Sequence, residues 1–190
     1  MKEAAKKLSS DVFTSYAEGD KTLYATMKTA IPLERMTVGE FKNDSNYVPH
    51  GKQYVFAKNL SSNSSYVYVQ KSQYGLVYSS LAQLVVNVRN KKITGYYQTY
   101  LTDLSSVREL QATISPLRAV TNLYTTRELA DNSRVMQVKL GYTKLTEVRG
   151  SVIFVPTWLV WIENKSSKSS CLKRVNAFSG QLLQNSTLDD

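Results

Sequence analysis

Two apolar runs joined by a short basic segment constrain the fold of this chain more than any other feature. The runs are Leu81–Val88 and Ile93–Leu101, and Arg89-Asn90-Lys91-Lys92 lies between them. A few polar residues between two strand-like runs are typical of a hairpin, so the basic segment is predicted to be a solvated turn. In the first run, apolar residues occur at both odd and even positions, so they lie on both faces of a strand. This predicts a strand inside a sheet.

Helices are predicted ahead of these strands. In the first half, helical spacing relates Leu8, Val12, Phe13 and Tyr16, and it also relates Tyr24, Met27 and Ile31. The second group ends at Pro32, which cannot continue a helix. Shorter strand-like runs then follow at Gln53–Ala57 and Tyr66–Val69.

The second half repeats this layout. Ser106 and Glu109 have capping-box spacing for a short helix around Val107–Ala112. Ser115-Pro116 marks a second helix start, because serine caps helices and proline suits the first helical position. In that helix, one face is predicted to carry Leu117, Val120, Leu123 and Tyr124.

Three strand-like runs complete the second half. They are Met136–Tyr142, Val152–Ile162 and Cys171–Asn176. Pro156 interrupts the middle run and cannot donate to a strand ladder, so we expect a bulge or a sheet edge there. No strand–helix–strand alternation is present, so the predicted fold class is α+β, with two similar units of helices followed by an antiparallel meander. The predicted domains are residues 1–104 and 105–190.

Several classes of function are disfavoured by composition. The chain has one cysteine, Cys171, one histidine, His50, and eight scattered glycines, so we expect no catalytic, cofactor or metal site. The apolar run Val152–Ile162 is too short to cross a membrane as a helix. Lysine and arginine number 24 against 15 acidic residues, giving a net charge of +9. This excess is spread out and lacks a nucleic-acid-binding motif, so we expect no nucleic acid partner; an anionic membrane or polymer surface fits the charge equally well.

Thirteen tyrosines are a further unusual feature. Tyr96, Tyr97 and Tyr100 lie on one predicted strand, and four others precede it at positions 66, 68, 74 and 78. Tyrosine suits a half-exposed sheet, which explains most of these residues structurally. The functional alternative is a stacking surface for sugars or for a partner protein.

Three segments in order resemble one known family. They are Ile93–Leu101 (ITGYYQTYL), Lys139–Tyr142 (KLGY), and Val155–Trp158 (VPTW) followed by Val175–Gly180 (VNAFSG). In this order and spacing they resemble the YycI proteins of Gram-positive bacteria, over roughly residues 80–185. The resemblance implies a non-enzymatic regulator of the essential cell-wall two-component system, acting on the membrane sensor kinase WalK together with the related protein YycH.

The resemblance also implies a location. YycI proteins have one N-terminal membrane-spanning helix and a domain on the outer face of the cell membrane that holds two similar α+β units. This sequence has no such helix, so we expect it to be the extracytoplasmic fragment, with Met1 added or exposed by truncation. A PepSY-like secreted module that binds a protease or the cell wall is the alternative, since Asn-Ala-x-x-Gly at 176–180 also resembles that class.

The residues that carry the resemblance are the candidate site residues, either as shape-determining motif positions or as partner contacts. They are Tyr96, Tyr97, Gln98, Tyr100, Gly141, Tyr142, Pro156, Trp158, Asn176, Ala177 and Gly180. We expect Gly141 to permit a backbone turn where its strand ends. Pro156 is expected to set a bend that presents Trp158, and Asn176 with Gly180 is expected to form a tight turn.

Overall fold

Eleven β-strands and three short α-helices form the described part of the chain. The structure is a computed structural model, and it describes residues 1–19, 21–106 and 111–183. The chain divides into two compact units, Met1–Leu104 and Ser105–Asp190. Whether each unit folds as an independent domain stays a prediction.

The first unit is a sheet with two small helices. Its elements are α1 (Lys2–Lys7), β1 (Phe13–Glu18), β2 (Thr22–Pro32), α2 (Val38–Asn43), β3 (Tyr54–Phe56), β4 (Ser65–Ser72), β5 (Gly75–Val77), β6 (Gln83–Arg89) and β7 (Lys92–Thr99). The strand order is β1-β2-β7-β6-β4-β5, with β3 also paired to β4. Each of these pairings is antiparallel.

The predicted β6–β7 hairpin is confirmed, and its strands line the core. Arg89 pairs with Lys92 across the basic turn, and Asn90 and Lys91 there have positive φ angles of 51° and 58°. The buried cluster of this unit is formed by the inner faces of the strands together with α2, and includes Phe13, Leu23, Phe41, Leu84, Ile93 and Tyr96.

The predicted helices over residues 8–31 are wrong, because this segment forms the β1–β2 hairpin. Buried residues in β2 fall at Leu23, Ala25 and Met27, which is the two-residue period of a strand. Threonine and tyrosine between them favour the extended backbone. The helical prediction rested on apolar residues three or four positions apart and did not take this two-residue alternation into account.

The described part of the second unit contains one α-helix and four strands. Its elements are α3 (Pro116–Thr125), β8 (Ser133–Val148), β9 (Ser151–Asn164), β10 (Ser170–Asn176) and β11 (Leu182–Leu183). The strands follow one another in the order β8-β9-β10-β11 and are antiparallel. The buried cluster joins Ala119 and Leu123 of α3 to Val160, Ile162 and Val175.

The start of α3 is confirmed, and so are two of the four residues of its predicted apolar face, since Leu123 and Val120 pack in the core; the other two are wrong. The Ser115 hydroxyl accepts from the Arg118 amide at 3.2 Å, and Pro116 is the first helical residue. Ala119 and Leu123 point into the core, whereas Leu117 and Tyr124 are 75% and 71% exposed. The helix predicted around Val107–Ala112 lies mostly outside the described residues.

The proline of β9 lies where one neighbouring strand has ended. Pro156 pairs with Tyr142 of β8, while β10 pairs only from Thr157 onward. The Pro156 carbonyl points to the β10 side, where it accepts from the Ala177 amide at 2.8 Å. The missing N–H of proline falls on the same side, so no ladder bond is lost and the predicted sheet edge is confirmed.

The predicted α+β class, with two units of helices followed by a meander, is therefore wrong. The chain is mostly β-sheet, and about 17% of its residues are helical when three short 3₁₀ helices are included with the α-helices. In the first unit, one short helix, α1, is followed by the β1–β2 hairpin where further helices were predicted. No helix in the described ranges is both long and apolar enough to cross a membrane.

Candidate functional site

Three candidate residues, two on β7 and one directly after it, bind one long loop through hydrogen bonds. Tyr96, Gln98 and Tyr100 project to the same side, because they are two residues apart along an extended chain. The Tyr96 hydroxyl donates to the Tyr47 carbonyl at 2.8 Å, and Gln98 Nε2 donates to the Pro49 carbonyl. The Tyr100 hydroxyl donates to Gln53 Oε1. We call Tyr96, Gln98 and Tyr100 the loop-anchoring triplet; it holds residues 47–53 against the sheet.

The single histidine is part of the same arrangement. The His50 ring stacks on the Tyr100 ring at 4.3 Å and 4°, and the His50 backbone is left-handed with φ of 56°. Burial, followed by the positive charges of the amino terminus and Lys7, lowers the pKa of His50. A neutral imidazole stacked on a phenol ring has a structural role here.

Lys42 of α2 is a buried amine that sequence reasoning missed. Its Nζ donates to the Gly51 and Tyr54 carbonyls at 3.0 and 2.9 Å, and it lies 5.6 Å from the centre of the Tyr68 ring. Burial lowers the pKa of Lys42. The sequence carried no signal for this contact, since a lysine in a polar segment is normally exposed. The lysine thus binds the same loop as the triplet, at Gly51 within it and at Tyr54 directly after it.

A polar groove of about 400 Å³ opens beside Tyr100 at the end of β7. Its lining includes Gln53, Gln70, Lys71 and Asp103. The Gln70 amide group is already used, because Nε2 donates to the Leu101 carbonyl and Oε1 accepts from the Leu101 amide. Among the described residues, no cluster of histidine, cysteine and acidic side chains could hold a metal ion.

Tyr97 faces the opposite side of β7 and belongs to a different structure. It lies directly across from Tyr24 of β2, which lies across from Tyr16 of β1. The Tyr16 and Tyr24 rings stack at 4.9 Å and 15°, and the Tyr24 and Tyr97 rings are 6.2 Å apart. We call these three residues the tyrosine row. Burial and a hydrogen bond to Glu18 raise the pKa of Tyr24, while Tyr16 at the open end is 60% exposed.

The candidate residues of the second unit meet beside α3. Trp158 Nε1 donates to the Ile114 carbonyl at 2.9 Å. The Ile114 amide donates to the Ala177 carbonyl at 2.8 Å, and the Ala177 amide donates to the Pro156 carbonyl at 2.8 Å. These bonds connect the segment before α3 to β9 and to the turn after β10.

The turn at 176–180 has the predicted geometry. Asn176 Oδ1 accepts from the amides of Phe178 and Ser179 at 2.9 and 3.1 Å, and the Gly180 amide closes the turn on the Asn176 carbonyl. Gly180 has φ of +75°, which favours glycine. Asparagine and glycine therefore act as the sequence indicated.

The expected role of Gly141 is wrong. Strand β8 runs through it to Val148 instead of ending there, and its φ is not positive. Gly141 pairs with Thr157, and Tyr142 pairs with Pro156. Next to them, the Thr143 and Thr157 hydroxyls are 2.8 Å apart and buried. The Lys-Leu-Gly-Tyr segment therefore lies in the middle of a strand. The alternation of apolar and polar residues around it also indicates that position.

Most candidate residues thus make contacts inside their own unit. Their contact with a partner stays a prediction. The two most exposed large apolar side chains among those described are Leu117 and Tyr124 of α3, which are seven residues apart and so share one helix face. Thr121, also exposed, lies between them on that face. We call Leu117, Thr121 and Tyr124 the outer face of α3.

Known proteins resemble this chain both in sequence and in fold. The model of a family described as YycI protein matches residues 1–178. Among curated proteins, none matches this sequence. The fold is similar to that of an uncharacterised protein from Eubacterium rectale ATCC 33656, whose crystal structure at 1.45 Å gives a TM-score of 0.60 at 12% identity over 96% of this chain and 81% of that chain.

A second solved structure is also similar. It is the C-terminal domain of YpeB from Bacillus megaterium, with a TM-score of 0.49 at 13% identity over 97% of this chain and 94% of that chain. At 12% identity the first of these structures bears on the fold alone. The family match, by contrast, extends over nearly the whole chain.

Proposed function

Because this chain belongs to the YycI family, a family of regulators in the WalK two-component pathway, we propose that it adjusts the sensor histidine kinase by protein–protein contact. In this proposal it acts together with a YycH-like protein and performs no chemistry of its own. The observation that carries the proposal is the family match over residues 1–178.

The proposal includes a location. The two units lie on the outer face of the cell membrane, joined to it by an N-terminal helix outside this sequence. The net charge of +9 supports this location, since a basic domain is attracted to anionic lipid and cell-wall polymer.

The outer face of α3 is the proposed contact with a protein partner. Leu117 and Tyr124 are the two most exposed large apolar side chains among those described. Both add little to the packing of their own unit, so their burial against a partner would stabilise a complex at no cost to the fold. The candidate motif residues are less suited to this role, because Tyr96, Gln98 and Ala177 are buried.

Co-purification tests the proposal. The membrane-anchored form should be retained with the kinase and the YycH-like protein when all three are expressed together. The double variant Leu117→Glu, Tyr124→Glu should reduce that retention at least tenfold, because it buries two carboxylates in an apolar contact. The matched control Tyr74→Glu changes an exposed tyrosine of the first unit, 41% exposed, and should retain the partners.

Two results would contradict the proposal. If the anchored chain fails to co-purify under conditions where the kinase and the YycH-like protein associate, contact-based regulation is wrong. If it co-purifies and the α3 variant binds like the control, the contact lies on another surface. The PepSY-like alternative would be favoured instead by inhibition of an extracellular protease.

A further inference from the structure

The polar groove beside Tyr100 lies between two segments of the first unit that are bonded to each other. They are residues 70–73, at the end of β4, and residues 100–104, after β7. The Gln70 side chain, only 3% exposed, joins them. Its Nε2 donates to the Leu101 carbonyl at 2.8 Å, and its Oε1 accepts from the Leu101 amide at 2.9 Å. The groove is therefore formed before a ligand arrives, which reduces the entropy lost on binding.

Gln53 and Tyr100 also line the groove and are held in place. The Tyr100 ring stacks on the His50 ring at 4.3 Å, and the Tyr100 hydroxyl donates to Gln53 Oε1. This bond orients the amide group of Gln53 and leaves its Nε2 without a hydrogen-bond partner among the described residues. The groove therefore has an amide N–H donor that a ligand can use.

Lys71 and Asp103 are the charged residues of the lining. They do not form an ion pair with each other, and within the described ranges neither has another ion-pair partner. Opposite charges in a cleft attract a ligand that carries both signs. The two charges cancel, in a chain whose net charge is +9, so an anion attracted to the rest of the surface has no particular preference for this groove.

The remaining groups of the lining suit a peptide. Gln73 Nε2 faces the Leu104 carbonyl at 3.5 Å, and Gln73 Oε1 has no partner in the part of the chain that the structure describes. The amide oxygen of Gln73 and the amide N–H of Gln53 match the N–H and the carbonyl of a peptide group. Leu101 and Leu104 are half-buried in the lining and add apolar surface for a small side chain.

We propose that this groove binds a short zwitterionic peptide, with the peptide carboxylate on Lys71 Nζ and the peptide ammonium on Asp103. The peptide groups of the ligand bond to Gln53 and Gln73. Lys71 and Asp103 are exposed, so each charged contact contributes modestly. We expect a dissociation constant of about 0.1–1 mM for a ligand of about 16 non-hydrogen atoms.

A neutral sugar fits this groove less well. The amide groups would bind its hydroxyls, but Lys71 and Asp103 would have no charge to pair with. One face of the Tyr100 ring is covered by His50, so that face is closed to stacking by a sugar. The free opposite charges therefore favour the peptide.

Titration of the full chain with trialanine tests the proposal, with amide chemical shifts in NMR spectra as the readout. Saturable shifts should occur in residues 70–73 and 100–104. N-acetyl-trialanine lacks the ammonium and trialanine amide lacks the carboxylate, so each should bind about three to ten times more weakly than trialanine. N-acetylglucosamine is the neutral sugar control and should cause no saturable shift. The assay uses this chain alone, so its outcome is independent of the proposed contact with the kinase.

Two variants assign the ends of the ligand. Lys71→Gln should bind trialanine and trialanine amide equally, because the carboxylate no longer meets a cation. Asp103→Asn should bind trialanine and its N-acetyl form equally, and asparagine tolerates the φ of 55° at this position as aspartate does. The matched control Lys58→Gln changes an exposed lysine outside the groove and should keep the preference for trialanine over both blocked forms.

Four results would overturn the proposal. The first is the absence of saturable shifts in these two segments up to about 10 mM trialanine, well above the weakest expected dissociation constant. The second is equal binding of the free and blocked peptides, which would show that the charges of the ligand are not recognised. The third is tighter binding of N-acetylglucosamine than of trialanine, which would identify a sugar site. The fourth is a Lys71→Gln chain that still prefers trialanine to its amide.

Discussion

Asn122 and Gly180 are held against each other in the second unit. Asn122 Nδ2 donates to the Gly180 carbonyl at 2.9 Å. A Cβ at Gly180 would lie 2.4 Å from that same nitrogen and 3.3 Å from Ile114 Cδ1. The Asn122 side chain of α3 therefore leaves room only for glycine at position 180, in the turn after β10.

Gly180→Ala should destabilise the chain by about 1–3 kcal/mol, since alanine resists a φ of +75° and would displace Asn122. Urea unfolding measures the change. The matched control is Gly150→Ala, where φ is +77° and no atom lies within 4 Å of the added Cβ. This control suffers the backbone strain without the contact, so equal losses in the two variants would contradict the packing argument.

Asn176→Ala should cost about 1–2 kcal/mol, because its Oδ1 accepts from two turn amides, those of Phe178 and Ser179. Asn164 makes the same pair of bonds, to Ser166 and Ser167, in an exposed hairpin loop. Thermal unfolding of Asn164→Ala should show the smaller loss, since water can replace those bonds. A larger loss of stability in Asn164→Ala than in Asn176→Ala would contradict the argument that the 176–180 turn positions the buried Ala177.

Gln98→Ala should loosen the loop at 47–53 and cost about 1–3 kcal/mol, because the half-buried Pro49 carbonyl loses its donor. In this variant, the amides of the loop should exchange hydrogen faster than in the unsubstituted chain, whereas the exchange of the β6 amides should change less. The control on the same strand is Thr94→Ala, which removes an exposed bond to the Asn87 carbonyl. If loop exchange does not change in Gln98→Ala, the loop-anchoring triplet does not hold the loop.

Tyr96→Phe should change how stability depends on alkaline pH. Burial, followed by the charge of Tyr54, raises the pKa of Tyr96, so the folded chain keeps this proton above about pH 10, where an unfolded tyrosine loses it. The unfolded state then binds fewer protons, and the free energy of unfolding falls as pH rises.

The Tyr96→Phe variant has no phenol at this position, so it lacks this part of the fall in the free energy of unfolding with rising pH. At pH 7 it should be about 1 kcal/mol less stable, because the bond to the Tyr47 carbonyl is lost. Above about pH 10 the difference between the two proteins should shrink. Denaturant titrations at a series of pH values measure it, with Tyr124→Phe as the exposed-phenol control. A difference that is constant with pH would contradict the burial of Tyr96.

Local patterns predicted the elements whose signals do not depend on distant residues. The basic turn between β6 and β7, the Ser115-Pro116 helix start and the Asn176–Gly180 turn all follow from backbone preferences within a few residues. The family was also visible in the order of short motifs. By contrast, residues 8–31 satisfy helical spacing and strand alternation at once, and only pairing with β7 selects the strand.

The sequence by itself determined where the chain turns, where one helix begins and which family it belongs to, because these depend on residue type and order. Only the tertiary structure decided which faces are buried. Leu117 and Tyr124 look like core residues until Ala119 and Leu123 are seen to occupy the contact with the sheet. Likewise, Lys42 is buried because the carbonyls of Gly51 and Tyr54 accept hydrogen bonds from its amine. Burial is a property of what packs against a residue, and spacing along the chain does not contain that partner.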